Sequence, residues 1–441
     1  MLQKIFQTLE KLIPARWRWV FQHKGFKRYS ANVSWLLFGQ IFSAAVSFIV
    51  GIFVARQLGP ASYGLLNYVI SFITLFGFIA SLGVYDIVKR ELIGRNQVGT
   101  NKLLGTGWIL CFIGSLLAIA CLAITLFIIR QDSITSRLIL LFSLIFIFQS
   151  FTVIDLFFQA QVRSSLSAMA QIGGTLVRSM GLIICLLVHW PLVYLVFAYL
   201  LGSVANQLLL IRYYHRYYGS WLGWQPEVRL AKKIISQSWP LILSSASLVI
   251  YARLDQILVR NMTGDMASGF YAVAVKLSEI WYFIPTLIVA ALFPALVAAR
   301  QSDIALYRQR LKRLIVFFLS LSVVLAAALS LLSRLIVTRL FGAEYLPAVP
   351  AMLVYNWTAV GFFMAVILNN YFIIETKTKL NFMVNGLAAA VNIGLNIILI
   401  RRYGIVGAAW ATIGSYAVLL AVGYLSIKLS KKYVTTNAAV A

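Results

Sequence analysis

The stretch VIYARLDQILVRNMTG, residues 249–264, sets Arg253 and Asp255 among oily neighbours, and the next apolar run carries Lys276 and Glu279 three residues apart. Earlier in the chain, Asp155 and Arg178 are embedded in the same way. Guanidinium and ammonium groups in a wet cleft attract anions, and the planar fork of arginine suits phosphate oxygens. The carboxylates Asp155, Asp255 and Glu279 are placed to tune those cations or to take up Na+ or H+ as a coupling ion. Other chemistry lacks its residues. Cys111, Cys121 and Cys185 have no metal or redox spacing, and His23, His189 and His215 form no ligand set. No catalytic residue, metal or bound cofactor is expected.

These charges need partners, because a lone charge at the centre of a membrane helix costs about 3 kcal/mol even on lenient insertion scales. Arg253 and Asp255 stand about 200° apart around a helix, so they do not pair with each other. Asp255 shares a face with Ser244, Ser247 and Tyr251, whereas Arg253, Gln256 and Arg260 form a second stripe. Arg253 and Lys276 fall at similar depth on neighbouring antiparallel helices, which allows a cluster with Asp255 and Glu279. A structural ion-pair network, or an arginine reaching outward, is the alternative. Gln149, Thr152, Asp155 and Gln159 line one side of another helix, and an Arg178–Asp155 pair tying two helices is the plain reading there. Asn381, Asn385, Asn392 and Asn396 lie within about 60° of arc. Interhelical glue and cavity lining both remain open for Asn385 and Asn392.

The elements that hold these residues belong to a membrane protein. Of 441 residues, 61% are hydrophobic and only 11% charged, far from the roughly half apolar and quarter charged of soluble domains. The net charge of +26 would suggest nucleic acid in a polar chain, but here the basic residues sit between apolar runs. They fit loops facing anionic headgroups, with no nucleic-acid partner.

At about 20 residues per crossing, spans fall near 33–55, 65–84, 104–129, 138–160, 168–188 and 191–211. A second set falls near 238–259, 269–298, 314–333, 346–372, 380–400 and 405–427. With the N-terminus inside, 27 of the 38 Lys and Arg are cytoplasmic, 8 are outside and 3 lie within spans. That bias places both termini in the cytoplasm. The loops are short and leave no room for a soluble catalytic domain. Residues 1–30 lack a cleavable signal and form a basic arm, either amphipathic on the inner surface or a simple tail.

Displacing the chain so that Gly59 falls on Gly264 also sets Gly64 on Gly269, Leu36 on Leu241, Ile52 on Ile257 and Val54 on Val259. Shared turn chemistry alone could favour the glycines. An internal repeat of two parallel six-span halves is the alternative, and repeats of that kind put the substrate site between them. The expected architecture is thus all-α, with twelve transmembrane helices in two parallel six-helix lobes around a central cavity. The lobes are 31–215 and 235–428, joined by a cytoplasmic linker at 216–234 and followed by a tail at 429–441.

Five stretches in order resemble the polysaccharide-biosynthesis flippases that move O-antigen-type units, within the multidrug, oligosaccharidyl-lipid and polysaccharide exporter superfamily. They are WLLFGQIFSAAVSFIVGIFVARQLGPASYGLLNY, SLGVYDIVKREL, IYARLDQILVRNMTGDMASGFYAVAVKLSEIWYFIP, RLFGAEYLPA and VNIGLNIILIRRYGIVGAAWATIGSYA. The resemblance implies lobes in a V that alternate between inward- and outward-open states. It implies an oligosaccharide on a polyprenyl diphosphate, passed from the cytoplasmic to the outer leaflet of a bacterial inner membrane for lipopolysaccharide-type export. Anionic lipids and other polysaccharide assembly proteins are the further partners it suggests. Cavities in this family look cationic, and Arg178, Arg253 and Lys276 fit that role. Arg56 and Arg90 resemble recurrent family arginines at the outer end of span 1 and after span 2. The two additional spans of related peptidoglycan-precursor flippases are not found, and the basic arm is longer than the resemblance suggests. A multidrug exporter and a membrane glycosyltransferase, polymerase or ligase are the rival readings.

Overall fold

The computed structural model describes the backbone of residues 24–92 and 97–438. Most of the expected N-terminal arm, and the side chains of Ser244, Ser247 and Tyr251, lie outside the described residues. The described chain is helical and contains no strand. In order the helices are α1 (Lys24–Ser81), α2 (Val84–Leu92), α3 (Gln97–Ile129), α4 (Ser133–Ser143), α5 (Ile145–Gln149), α6 (Thr152–Ala160), α7 (Ser164–Leu187) and α8 (Leu192–Tyr218). Then follow α9 (Val228–Thr263), α10 (Asp265–Glu279), α11 (Phe283–Ser302), α12 (Ile304–Leu340), α13 (Val349–Tyr355), α14 (Thr358–Ile374) and α15 (Thr378–Ala438).

Eight helical stretches among the described residues are long and apolar enough to cross a bilayer, or nine if the bent pair at α13–α14 counts as one span. Their outer faces suit lipid and not water: Phe127 is 85% exposed and Leu331 86%. Two helices exceed one crossing and each breaks at a glycine, Gly59 in α1 (φ 69°) and Gly404 in α15 (φ 57°). The chain folds back at both places. Tyr345 donates its hydroxyl to the Ala55 carbonyl at 2.7 Å and stacks edge-on against Tyr63, although eight residues of straight helix would separate those two contacts. Likewise a Cβ on Gly407 would collide with the Leu399 carbonyl. Each long helix therefore turns at its glycine, and the spans expected near 33–55 and 65–84, and near 380–400 and 405–427, lie on the two sides of these turns. The span expected near 238–259 falls within α9.

Packing divides the chain into two compact units, one of Met1–Gly51, Ile79–Gln131 and Leu140–Trp239, the other of Ile52–Phe78, Asp132–Ile139 and Pro240–Ala441. Residues 52–78 and 132–139 pack with the second half of the chain.

Within the first unit, glycines bring α7 and α8 together. A Cβ on Gly174 would lie 2.7 Å from the Asn206 Cβ, one on Gly181 3.0 Å from the Ala198 Cβ, and one on Gly202 would strike the Arg178 Cβ. Small residues let helix backbones approach closely in lipid, where packing and not the hydrophobic effect holds helices together. Gly39 seats α1 against Ala168 in the same way, and Asn32 accepts a hydrogen bond from the Ser164 amide at the start of α7. One crossing, Ser133–Ala160, is interrupted twice, between α4, α5 and α6. Ser143 and Ser150 bond back to the Leu140 and Ile147 carbonyls at these interruptions, a habit that bends helices.

Within the second unit, Gly59 and Gly264 adopt the same extended left-handed backbone (φ 69°, ψ 171° and φ 88°, ψ 176°). Their repeat partners meet reciprocally. A Cβ on Gly64 would collide with the Asp265 carbonyl, and one on Gly269 with the Pro60 carbonyl.

The α7–α8 crossing yields a stability prediction. Gly202→Val should destabilise the detergent-solubilised protein by about 1–3 kcal/mol, read as a fall in Tm. Gly394→Ala, where a Cβ meets nothing within 4 Å, should leave Tm unchanged or raise it slightly.

Candidate functional site: a cationic polar cleft

Three helices of the first unit turn polar stripes to one place. Gln40, Ser43 and Ser47 come from α1, Gln171, Thr175 and Arg178 from α7, and Tyr199, Ser203 and Asn206 from α8, each set spaced by three and four residues. That spacing keeps each set on one helix face. Gln149, at the break after α5, closes the group. Together they line a cleft of about 640 Å³.

Arg178 is its one charge, since no Asp or Glu occurs among the described lining residues. The guanidinium donates to the Ser47 hydroxyl at 2.5 Å and lies 5.4 Å from the centre of the Tyr199 ring. Neither partner neutralises it. Asp155 is engaged elsewhere, accepting from Gln159, which in turn accepts from Lys89 at 2.8 Å. The Arg178–Asp155 pair allowed by the sequence is not formed among the described residues. A cleft with a positive charge and uncharged hydrogen-bonding groups is suited to an anion with polar substituents.

The second unit holds a different arrangement. Asp255 is 4% exposed and accepts from the Tyr271 hydroxyl at 2.6 Å and the Gln256 amide at 2.7 Å. Glu279 accepts from the Tyr355 hydroxyl at 2.8 Å. Arg253 lies within electrostatic reach of both carboxylates, yet forms no ion pair among the described residues. Lys276 is directed to the Tyr63 hydroxyl at 3.5 Å, so the four-member cluster suggested by the sequence is drawn on that side towards α1.

The remaining expected residues have mostly structural surroundings. Gln256 is buried and accepts from Ser71 at 2.6 Å. Arg260 bonds Asp265, lies 3.7 Å from Asp132 and sits over the Tyr68 ring. Arg90 donates to Gln237 at 2.6 Å, and Arg56 is exposed with no partner among the described residues. Asn392 is 1% exposed and bonds Ser415, with Asn396 bonding back to it, and Asn385 bonds Asn369 and Asn381. These asparagines act as helix glue. The cleft residues Gln40, Ser43, Ser47, Gln171, Thr175, Tyr199, Ser203 and Asn206 were missed by sequence reasoning. Their signal was the recurrence of three- and four-residue spacing in three spans.

Residues 30–299 match the polysaccharide biosynthesis protein family. The chain belongs to that family. Among curated relatives, a protein of the Lsg locus of Haemophilus influenzae is 25% identical over 265 residues, which is 55% of this chain and 60% of that protein's length. An uncharacterized membrane protein of Methanocaldococcus jannaschii is 22% identical over 427 residues, 88% of this chain and 82% of its own. The fold is that of solved membrane transporters of the MOP superfamily. An inward-facing multidrug resistance MATE family transporter superposes with a TM-score of 0.74 at 14% identity, over 91% of this chain and 99% of its own. The lipid II flippase MurJ, in an inward closed conformation, superposes with a TM-score of 0.70 at 15% identity, over 90% and 87%. This member of the family is thus a multi-pass membrane protein of transporter fold whose first unit carries a cationic cleft.

The buried carboxylate of the second unit supplies a further prediction. Tyr271→Phe removes the side-chain donor to Asp255 and should cost about 1–3 kcal/mol of stability. Asp255→Asn in that background should recover part of the loss, measured as Tm in a double-mutant cycle.

Proposed function

We propose that this chain is a flippase that moves polyprenyl-diphosphate-linked oligosaccharide repeat units from the cytoplasmic to the outer leaflet of a bacterial inner membrane. The product would be cell-surface polysaccharide of the O-antigen type. The observation that carries this reading is Arg178, a cation without a carboxylate partner among the described residues, set in a hydrogen-bonding cleft of a protein from a polysaccharide biosynthesis family. A diphosphate supplies the missing negative charge, the sugars are hydrated by the cleft, and the prenyl tail stays in lipid. The similarity in fold to a lipid II flippase supports a lipid-linked cargo. A multidrug exporter of cationic compounds would be better served by an acidic cleft. No covalent bond changes in this cycle, so the chain works as a carrier and not as an enzyme.

The concentration of Lys and Arg in one set of loops supports cytoplasmic termini. Alternating access requires that cargo or coupling ion bind the two states unequally. Asp255 and Glu279, with Arg253 nearby, are the candidate groups for coupling to Na+ or H+.

In a strain lacking the gene, lipid-linked repeat units should accumulate on the inner leaflet. Complementation with Arg178→Glu should lower export at least about ten-fold at normal expression, since a charge-assisted hydrogen bond contributes about 1.5–3 kcal/mol. Normal export by that variant would overturn the reading. Separately, collapse of both the Na+ and H+ gradients should stop export, and unchanged transport would remove the coupling role from Asp255 and Glu279.

A further inference from the structure

Arg178 accounts for one charge in the cleft but not for the groups around it. Gln40, Gln149, Gln171 and Asn206 place four carboxamides on its walls, and none of their side chains has a hydrogen-bond partner among the described residues. The Ser43 hydroxyl is buried and equally unpartnered. Elsewhere in the membrane-spanning helices several carboxamides are engaged, Gln159 on Asp155, Gln256 on Ser71, Asn385 on Asn369 and Asn392 on Ser415, while the buried oxygens of Gln207 and Asn396 stand open singly and away from the cleft. Polar side chains left open in a membrane span are costly unless they face water or a ligand. The concentration of open ones around one arginine therefore marks a binding surface.

Resting on the function proposed above, we infer that these carboxamides read the sugar nearest the diphosphate. A carboxamide offers two donors and one acceptor oxygen, which matches a pair of neighbouring hydroxyl groups that both give and receive. Carboxylates, the groups that would select an amine, are missing from the described lining. The cleft volume of about 640 Å³ lies within the usual range for small-ligand pockets, so it admits a few sugar rings and not a whole polymer. Because Arg178 shares the cleft, the rings it admits are those attached to the phosphate it holds. Gln149 comes from the end of α5, Gln171 from α7 and Asn206 from α8, so three separate elements supply the carboxamides. The more distant sugars of the repeat unit would be carried without being read.

Binding in lipid nanodiscs tests this with two probes, a bare polyprenyl diphosphate and the same carrier bearing a neutral hexose. The wild type should bind the hexose-bearing lipid more tightly. Gln149→Leu, Asn206→Ser and Gln171→Leu should each weaken only that lipid, by about 3- to 10-fold, the effect of one or two lost hydrogen bonds. Arg178→Gln should weaken both probes. Size-exclusion profiles identify any variant that misfolds, and the three carboxamide sites give independent readings. If the folded carboxamide variants bind the hexose-bearing lipid as the wild type does, while Arg178→Gln weakens both, sugar reading is refuted and the flippase proposal stands. If the wild type binds neither probe, the flippase proposal fails and sugar reading falls with it.

Discussion

Hydrocarbon cannot hydrogen-bond, and that constraint governs how polar groups can be carried in this chain's spans. Asp255 and Glu279 answer it with tyrosine hydroxyls, Gln256 with Ser71, and Asn392 with Ser415. In each case donor meets acceptor inside the protein. The walls around Arg178 do not close on themselves in this way. The difference between the two settings separates polar residues that hold helices together from polar residues that await something else.

Backbone approach decides where that open site can exist. In water, apolar side chains would drive α7 onto α8, but in lipid the helices need surfaces that fit. Gly174 and Gly202 provide the fit and set Arg178 and Asn206 against each other's helix at close range. The two interruptions in the Ser133–Ala160 crossing add Gln149 from a third direction. Irregular backbone at membrane depth is tolerated where it is buried or lines a wet cavity, and here it does the latter. Site and packing are therefore one design, since the residues that remove bulk also position the charge.

Much of this was legible before any coordinates. Apolar runs of span length, the loop charges and the glycines at 59 and 264 describe a helical membrane protein with tight turns; the turn at Gly404 emerged only with the backbone. Arg178 was recognisable because a cation in an oily run has so few explanations. Its companions were not, because Ser, Thr, Gln and Asn in a span serve as packing glue as often as they line a cleft, and periodicity does not separate the two. The asparagines of α15 show the same ambiguity: their common face was legible and left glue and cavity lining open, and the bonds of Asn392 to Ser415 and of Asn385 to Asn369 are of the first kind. The contact of Lys276 with Tyr63, far away in sequence, is of a kind that spacing along one helix does not reveal.

The crossing at Gly64 and Gly269 also sets how much the turn regions can vary. Each glycine abuts the carbonyl of the residue that begins the other's turn, at Asp265 and Pro60, which is the reciprocity two identical subunits show about a two-fold axis. A side chain added at either glycine therefore strains the opposite turn as well as its own. Ser71 and Lys276, which the same displacement superposes, show that the reciprocity belongs to the backbone and not to the side chains farther along the helices.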